Sequence, residues 1–168
     1  MALTVEDGSG VAGADTYASV IYTQAYAAKR GLSLPTGTGA DAAIEILLTK
    51  ALDWIEAERD ALQGYKVAED QALQYPREDV YIDGNLVASN AIPKEVPMLQ
   101  AQLACDEYAT PGVLQPNSDG REIIRERIEG AIETVWAQSG DSNPQPQLTK
   151  AKALLAPLLR KGCITVRG

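Results

Sequence analysis

The fold is decided by the stretch from Asp41 to Leu62, which reads DAAIEILLTKALDWIEAERDAL. Its apolar residues recur at the spacing of one helix face, so the stretch predicts a long amphipathic helix with one buried stripe. That stripe consists of Ile44, Leu47, Leu48, Ala51, Ile55 and Leu62. We expect Asp41 to cap the start of the helix and Gly64 to end it.

Three further segments carry a helical pattern. Helices are predicted near 20–30, 93–109 and 148–160, in addition to the one at 41–62. Ser19 is a suitable N-cap for the first of them, because its hydroxyl can accept a hydrogen bond from a free backbone N–H. The resulting fold class is mainly α, a small helical bundle with short β-hairpins and extended terminal strands.

The β elements are expected to be short. Val80 to Val87 predicts a hairpin with a turn at Asp83 and Gly84. Residues 3–6 and 163–167 read as terminal strands with free edges. Residues 121–137 fit either a helix or a hairpin, and periodicity alone leaves both open.

One polar, proline-containing linker divides the chain. Residues 138–147 read QSGDSNPQPQ, a composition typical of a connecting segment. We therefore predict a helical core domain over 1–137, with an N-terminal β arm and hairpins, and a C-terminal helix and strand arm over 148–168. The helix of this last piece carries so much apolar surface that it must pack on its own domain or on a neighbour.

The charge of the chain is strongly negative. Lys and Arg number 15 and Asp and Glu number 23, so the formal charge is −8 among 168 residues. Such a chain repels phosphate backbones on average, which argues against a free-standing nucleic-acid binder but does not exclude a local basic patch. With 45% hydrophobic residues, the chain should form a globular fold.

Metal, redox and membrane roles find little support. Histidine is absent and the two cysteines, Cys105 and Cys163, are far apart in sequence, so we expect no metal site. Two free thiols in a reducing cytosol are favoured over a disulfide. We expect no signal peptide and no membrane association, since no apolar run approaches about 20 residues.

The residues 8–13 match a dinucleotide-binding glycine pattern. Glu6 and Asp7 would stand beside the pyrophosphate and repel it, so a glycine-rich turn between two short strands, at 3–6 and 15–18, is the favoured interpretation. No nucleophile has a base partner anywhere in the sequence, and we therefore predict no enzyme and no cofactor.

The tripeptide Tyr75-Pro76-Arg77 allows two interpretations. A fixed backbone could present Tyr75 and Arg77 to a partner, or the loop could be pinned by packing of the tyrosine with the arginine exposed to solvent.

Five groups of segments, taken in order, form a pattern that covers most of the chain. They are Val5–Gly8 with Gly13–Ser19, Gln71–Arg77, Gly84, Ile92–Val96 with Gln102–Ala104, and Ala153–Leu159. In their order and spacing, these segments resemble a family of tailed-bacteriophage head–tail connector (head-completion adaptor) proteins. In this family Trp usually occupies the position of Tyr75, and extended strands occupy the region of 121–137, which favours a hairpin turning near Gly130.

This resemblance implies a structural virion protein. The chain would be one subunit of a closed ring, a dodecamer in such connectors, that joins the portal and capsid to the tail. Its partners would be further copies of itself, the portal protein and a downstream neck or tail-completion protein, while genome DNA would pass through the ring without specific recognition. Its location would be the head–tail junction of the virion, after synthesis in the host bacterial cytoplasm.

Strand edges and the residues beside them are the expected contacts in such a ring. The predicted interface residues are Tyr75, Arg77, Tyr81, Ile82, Leu86, Cys163, Ile164, Thr165 and Val166. The alternative function is a single-stranded-DNA-binding replication accessory protein, because members of the family are often labelled DnaT-like. The acidic charge, the lack of a basic patch and the small number of aromatic residues speak against that alternative.

Overall fold

A computed structural model describes residues 3–115 and 148–160, together with the backbone of 123–128 and 132–136. The described residues form four α-helices and three two-stranded antiparallel pairs. The helices are α1 (Val20–Ala28), α2 (Ala40–Ala57), α3 (Glu95–Ala109) and α4 (Thr149–Leu155), the last continued by a 3₁₀ turn at Ala156–Leu158. The strands are β1 (Tyr65–Lys66), β2 (Arg77–Glu78), β3 (Tyr81–Ile82), β4 (Asn85–Leu86), β5 (Ile123–Ile128) and β6 (Ile132–Trp136).

The core is built around α3, which contacts α1, α2 and α4. Apolar and polar residues of α3 are both buried, since three other helices cover it. The buried stripe predicted for α2 is confirmed, with Ile44, Leu48 and Ala51 fully buried and Leu47 and Ile55 nearly so. Four helices have therefore been placed where the sequence pattern predicted helices.

The starts of two helices differ in how well they were predicted. Ser19 caps α1 as expected, because its Oγ accepts a hydrogen bond from the backbone N–H of Tyr22 at 3.1 Å. The predicted cap of α2 is wrong. Gly39 occupies the N-cap position and Asp41 lies in the first turn, where it accepts a hydrogen bond from the Gln24 side chain. A carboxylate in the first turn still favours the positive end of the helix dipole.

The end of α2 also differs from its prediction at Leu62. The helix ends at Ala57, and backbone N–H groups of the next residues bond to carbonyls three residues earlier, which tightens the chain into turns. Leu62 is fully buried and pairs with Leu159 in an isolated antiparallel bridge. Helical periodicity predicted that the helix continues to Leu62. The structure instead pairs Leu62 with Leu159 of the C-terminal segment.

The C-terminal helix packs on its own core. Leu155 and Leu158 belong to the main hydrophobic cluster, and α4 contacts α3. Pro157 lies within the 3₁₀ turn that ends this segment, as its missing N–H favours. The predicted domain limits at 137 and 147, the linker 138–147 and the strand 163–167 lie outside the described residues and stay predictions.

The hairpin predicted at Val80–Val87 is confirmed. Tyr81 of β3 pairs with Leu86 of β4, and the backbone N–H of Val87 donates to the carbonyl of Val80 at 2.9 Å. Asp83 and Gly84 both have positive φ, at 51° and 81°. Two successive residues of positive φ are what a tight hairpin turn requires.

The N-terminal strands are shorter than expected. The pairing is one parallel bridge between Val5 and Thr16 rather than a free arm. Glu6 is buried at 3% exposure, and its backbone N–H bonds to the carbonyl of Thr16. This segment is therefore held beside the residues before α1 by backbone pairing.

The described residues divide into two compact units, one formed by 3–114 with 148–160 and one that contains β5 and β6. The second unit is an antiparallel hairpin in which Arg127 pairs with Glu133 and Ile128 with Ile132. It confirms the hairpin expected in this region, and the turn near Gly130 lies outside the described residues. The described residues form a small mixed fold, which is consistent with the predicted small helical domain but is less strongly α than the predicted class.

Candidate functional site

A surface cleft of about 620 Å³ lies between the β1–β2 and β3–β4 pairs and Arg160 of the C-terminal segment. It combines two exposed tyrosines with one exposed arginine: Tyr65 is 65% exposed and Tyr81 is 51% exposed. The lining residues are Gln63, Gly64, Tyr65, Asp79, Tyr81, Gly84 and Arg160. These residues place two aromatic faces and a positive charge around one solvent-filled space.

The side chain of Gln63 fixes the position of Tyr81. Its Nε2 donates to the Tyr81 carbonyl at 3.2 Å, and its Oε1 accepts from the Tyr81 N–H at 3.1 Å. The same Nε2 also donates to the carbonyl of Pro157. One glutamine thus connects the tyrosine wall of the cleft to the C-terminal segment.

Tyr65 is positioned by the close approach of β1 and β2, in which it pairs with Glu78. Gly64, just before it, has a φ of 65°, and a Cβ at this position would overlap the carbonyl oxygen of Glu78. Glycine is therefore required here both for its conformation and for the space it leaves.

Arg160 reaches the cleft from the C-terminal segment. Its backbone N–H donates to the Ala61 carbonyl at 2.8 Å and its Nε donates to the Leu62 carbonyl at 2.9 Å. Within the described part of the chain, the other guanidinium nitrogens have no protein acceptor, and the residue is exposed. Among the described residues, nothing occupies those N–H groups, which can donate to an acceptor such as a phosphate oxygen.

A second positive charge lies beneath the floor of the cleft. Arg77 is 5% exposed, and it donates to the carbonyls of Gln63 and Gly64 at 2.7 Å each and to Oε1 of Gln74 at 3.0 Å. Burial lowers the pKa of Arg77, and the neighbouring charge of Arg160 acts in the same direction. Asp79 opposes these cations, so the cleft has a mixed charge.

The predicted interface residues fall in three places. Tyr81 and Leu86 are exposed on the β3–β4 hairpin, with Ile82 half-buried beside them. Tyr75 and Arg77 are interior. The four remaining residues, Cys163, Ile164, Thr165 and Val166, lie outside the described residues.

The packing of Tyr75 confirms the interpretation that the tyrosine pins this loop, whereas the exposed Arg77 of that interpretation is wrong. Tyr75 is 1% exposed and meets Tyr17 edge to face, with ring centres 6.3 Å apart. Burial raises the pKa of Tyr75 to about 12, and its hydroxyl has no hydrogen-bond partner within the part of the chain that the structure describes. Arg77 is not exposed to solvent, because three acceptors replace the water that a guanidinium needs.

Tyr65 and Arg160 line the cleft but were not predicted as functional residues from the sequence. Tyr65 follows the glycine that ends the α2 region and Arg160 follows the last helix, and neither position has a local pattern that predicts exposure. Both come to the cleft through pairings between distant segments, β1 with β2 and Leu62 with Leu159.

The glycine-rich turn is closed by the protein itself. The Glu6 carboxylate accepts from the backbone N–H groups of Gly8 and Gly10 at 2.9 and 3.0 Å, and from that of Val11 at 2.9 Å. The favoured interpretation as a turn is confirmed. The Glu6 carboxylate therefore accepts the hydrogen bonds that these backbone N–H groups would otherwise donate to a phosphate.

The thiol at Cys105 is a core residue at 2% exposure, and burial raises its pKa to about 11. Among the residues that the structure describes, no cluster of three or more Cys, Asp or Glu side chains is arranged to hold a metal ion. In the same residues, no helix combines the length and apolar character needed to cross a bilayer.

The family described as "Putative DnaT-like ssDNA binding protein" matches the chain over residues 1–168. The chain belongs to this family. No curated protein and no solved structure matches it.

This membership overturns the head–tail connector interpretation. The family that matches is DnaT-like, and nothing in the match names a connector, a portal or a virion. The predicted ring, portal and neck partners, and the passage of DNA without recognition, fall with that interpretation. The virion location and the expectation that the chain is not an enzyme stay predictions.

Proposed function

We propose that this DnaT-like chain binds single-stranded DNA, with unpaired bases stacking on Tyr65 and Tyr81. The observation that supports it is the pair of exposed tyrosine rings lining the same cleft as Arg160. Proteins that bind single strands without sequence preference combine aromatic platforms with cations along the backbone. The family description names the same ligand.

The cleft suits a single strand because both tyrosines are held by their backbones while their rings stay exposed. Tyr81 is fixed by Gln63 and Tyr65 by its pairing with β2. Each stacked base is worth about 1–3 kcal/mol, and every base has a face that can stack. The interaction is therefore tolerant of sequence.

Charge plays a smaller part in this cleft than stacking does. Arg160 can bind a phosphate oxygen, and Arg77 adds positive potential from below, but Asp79 is also present. We expect a shallow dependence on salt, since each neutralised phosphate of a single strand contributes a slope of about −0.7.

The test is fluorescence anisotropy with a labelled oligothymidine. Tyr65→Ala and Tyr81→Ala should each weaken binding by about 5- to 150-fold, which corresponds to one lost stacking contact. Tyr108→Ala is the matched control, because Tyr108 is 41% exposed but does not line the cleft. Wild-type protein that leaves the oligonucleotide free, or cleft variants that bind as tightly as the control, would contradict the proposal.

Conservative variants separate stacking from structure. Tyr65→Trp and Tyr81→Trp keep an aromatic face and should bind at least as tightly as the wild type. Circular dichroism should show the same fold in all variants. Weak binding by the tryptophan variants would indicate that the hydroxyl groups, not the rings, carry the affinity.

We further propose that this activity serves DNA replication as an accessory function, without catalysis by this chain. Replication exposes single strands, and the cleft offers stacking and a cation rather than a nucleophile paired with a base. Incubation of labelled single strands with the protein should leave their length unchanged on a denaturing gel.

A further inference from the structure

A second cationic site lies where α1 and α4 meet α3. Tyr26 of α1 is 4% exposed, and its hydroxyl donates to Oε1 of Gln102 at 2.9 Å. The Arg30 guanidinium lies 3.7 Å from the centre of this ring, and Nζ of Lys150 lies 5.7 Å from it. Two cations from opposite ends of the chain thus converge on one fixed aromatic ring.

Neither cation has an ion-pair partner in the described part of the chain. Among the described residues, no carboxylate lies within 4.0 Å of Arg30 or Lys150. Arg30 donates to the carbonyl of Tyr26 at 3.3 Å, and it is otherwise exposed. The ring attracts both cations but carries no net charge, so the positive charge of the pair is available to an anion.

Asp106 is the acidic residue that lies within electrostatic reach of Lys150. Burial raises the pKa of Asp106, while a hydrogen bond from Gln102 and the charge of Lys150 oppose that rise. Its Oδ1 is held by the Gln102 side chain at 2.7 Å. One oxygen of this carboxylate is thus bonded to an amide, and among the described residues no ion pair joins Asp106 to Lys150.

An exposed ring accompanies the two cations. Tyr22 lies one helical turn before Tyr26 and is 38% exposed. Burial raises the pKa of Tyr22 and the charge of Arg30 lowers it, which places the guanidinium within electrostatic reach of this hydroxyl. The surface therefore has the composition of a single-strand contact, an aromatic face beside cations.

We propose that Arg30 and Lys150 bind the phosphodiester backbone of single-stranded DNA, as a site separate from the tyrosine cleft. This inference rests on the proposed function, and it assigns phosphate contacts beyond the one that Arg160 can make in the cleft. The planar guanidinium suits two phosphate oxygens, and the ammonium acts as a point charge beside it. Packing against Tyr26 holds both heads in place before the strand arrives.

The test is the salt dependence of oligothymidine binding. The double variant Arg30→Gln with Lys150→Gln should reduce the slope of log affinity against log salt by about 1.4, the loss of two phosphate contacts. Lys29→Gln with Lys152→Gln is the matched control, since it removes the same charge from exposed lysines beside the site. The salt slope of this control should change by much less than about 1.4.

Asp106→Asn supplies a change of opposite sign. The asparagine Oδ1 can still accept the hydrogen bond from Gln102, while the negative charge beside Lys150 is removed. Affinity for the oligonucleotide should therefore rise at low salt. A role of these residues in folding alone predicts no gain, and thermal unfolding of every variant provides that comparison.

The outcomes separate this inference from the proposed function. If the wild type binds the strand and the double variant keeps its slope, the phosphate site is wrong and the cleft proposal stands. If Tyr65→Ala and Tyr81→Ala bind normally while the double variant does not, the reverse holds. Inorganic phosphate is the second probe. If phosphate binds at Arg30 and Lys150 and single strands do not displace it, the assignment of this site to DNA is wrong.

Discussion

Gln100 shows how one buried polar residue organises the core. It is fully buried on α3, and its Nε2 donates to the Leu48 carbonyl at 2.9 Å. Its Oε1 accepts from the backbone N–H groups of Tyr17 and Ala18, each at 2.9 Å, and from the hydroxyl of Thr16. A single amide therefore joins α2, α3 and the segment before α1.

We expect Gln100→Leu to destabilise the protein by about 2–4 kcal/mol. The change keeps the size of the side chain but leaves buried N–H groups without an acceptor, and each costs about 1–3 kcal/mol. Urea unfolding followed by circular dichroism measures the difference. Gln24→Leu is the control, since Gln24 is exposed and bonds to Asp41 at the surface. Equal stability of the two variants would contradict the organising role.

Glu107 is a buried carboxylate whose charge stabilises the fold. It is 2% exposed, and it accepts hydrogen bonds from Nζ of Lys50 at 2.8 Å and from the N–H groups of Gly112 and Leu114. Burial alone would raise its pKa, but these hydrogen bonds outweigh burial and lower the pKa of Glu107 below its ordinary 4.5.

This shift predicts acid sensitivity with a defined sign. Because the pKa is lower in the folded state, the contribution of Glu107 is present above about pH 4.5 and is lost as the pH falls through the folded value. Glu107→Gln should therefore lower Tm near neutral pH, and the difference from the wild type should shrink as the pH falls below about 4.5 and through the folded-state pKa. Thermal unfolding across this range tests it. The exposed Glu69→Gln should show no such convergence.

Single residues were predictable where their role is local. Ser19 was identified as a cap because capping depends on three neighbouring residues. The burial of Arg77 was not predictable, since its acceptors belong to Gln63 and Gly64, more than ten positions earlier. A charged side chain reads as exposed in a sequence until the fold supplies its hydrogen bonds.

At the scale of elements, helical periodicity was reliable and helix ends were not. Each of the four helices was predicted, since a repeating apolar face persists over several turns. The end of α2 was misplaced because Leu62 pairs with Leu159, a contact that no local pattern encodes. The β3–β4 hairpin was predictable since Asp83 and Gly84 specify the turn.

Gly64 permits the close approach of β1 to β2, which positions Tyr65 at the cleft. The variant Gly64→Ala tests this role. We expect a loss of at least about 2 kcal/mol, because the new Cβ would overlap the Glu78 carbonyl in a backbone conformation that already disfavours alanine. Separation of β1 from β2 should also displace Tyr65 and weaken oligonucleotide binding.

Gly37→Ala is the control for this prediction. Gly37 also has a positive φ, at 85°, but has open space where a Cβ would lie. The comparison by urea unfolding therefore separates backbone strain from the overlap with β2. Equal losses in the two variants would show that the close approach of the strands contributes nothing.

At the scale of the whole molecule, the net charge and the overall composition gave a poor guide to the family to which the chain belongs. A charge of −8 and 5% aromatic residues argued against single-strand binding. The fold gathers residues that are distant in sequence, so Tyr65, Tyr81 and Arg160 meet at one cleft and Arg30 and Lys150 at one ring. The proposed binding depends on such local groupings, and composition cannot reveal them.

The same global charge predicts which form of DNA the protein prefers. In a duplex the bases are paired and stacked, so Tyr65 and Tyr81 have no base face to contact, and the net charge of −8 opposes contact by phosphates alone. An unlabelled duplex should therefore compete at least about tenfold less well than a single strand of the same length, which corresponds to one stacking contact. The double variant Tyr65→Ala with Tyr81→Ala should lose this preference, because its remaining contacts are to phosphates. Equal competition by the two forms against the wild type would show that stacking does not govern binding.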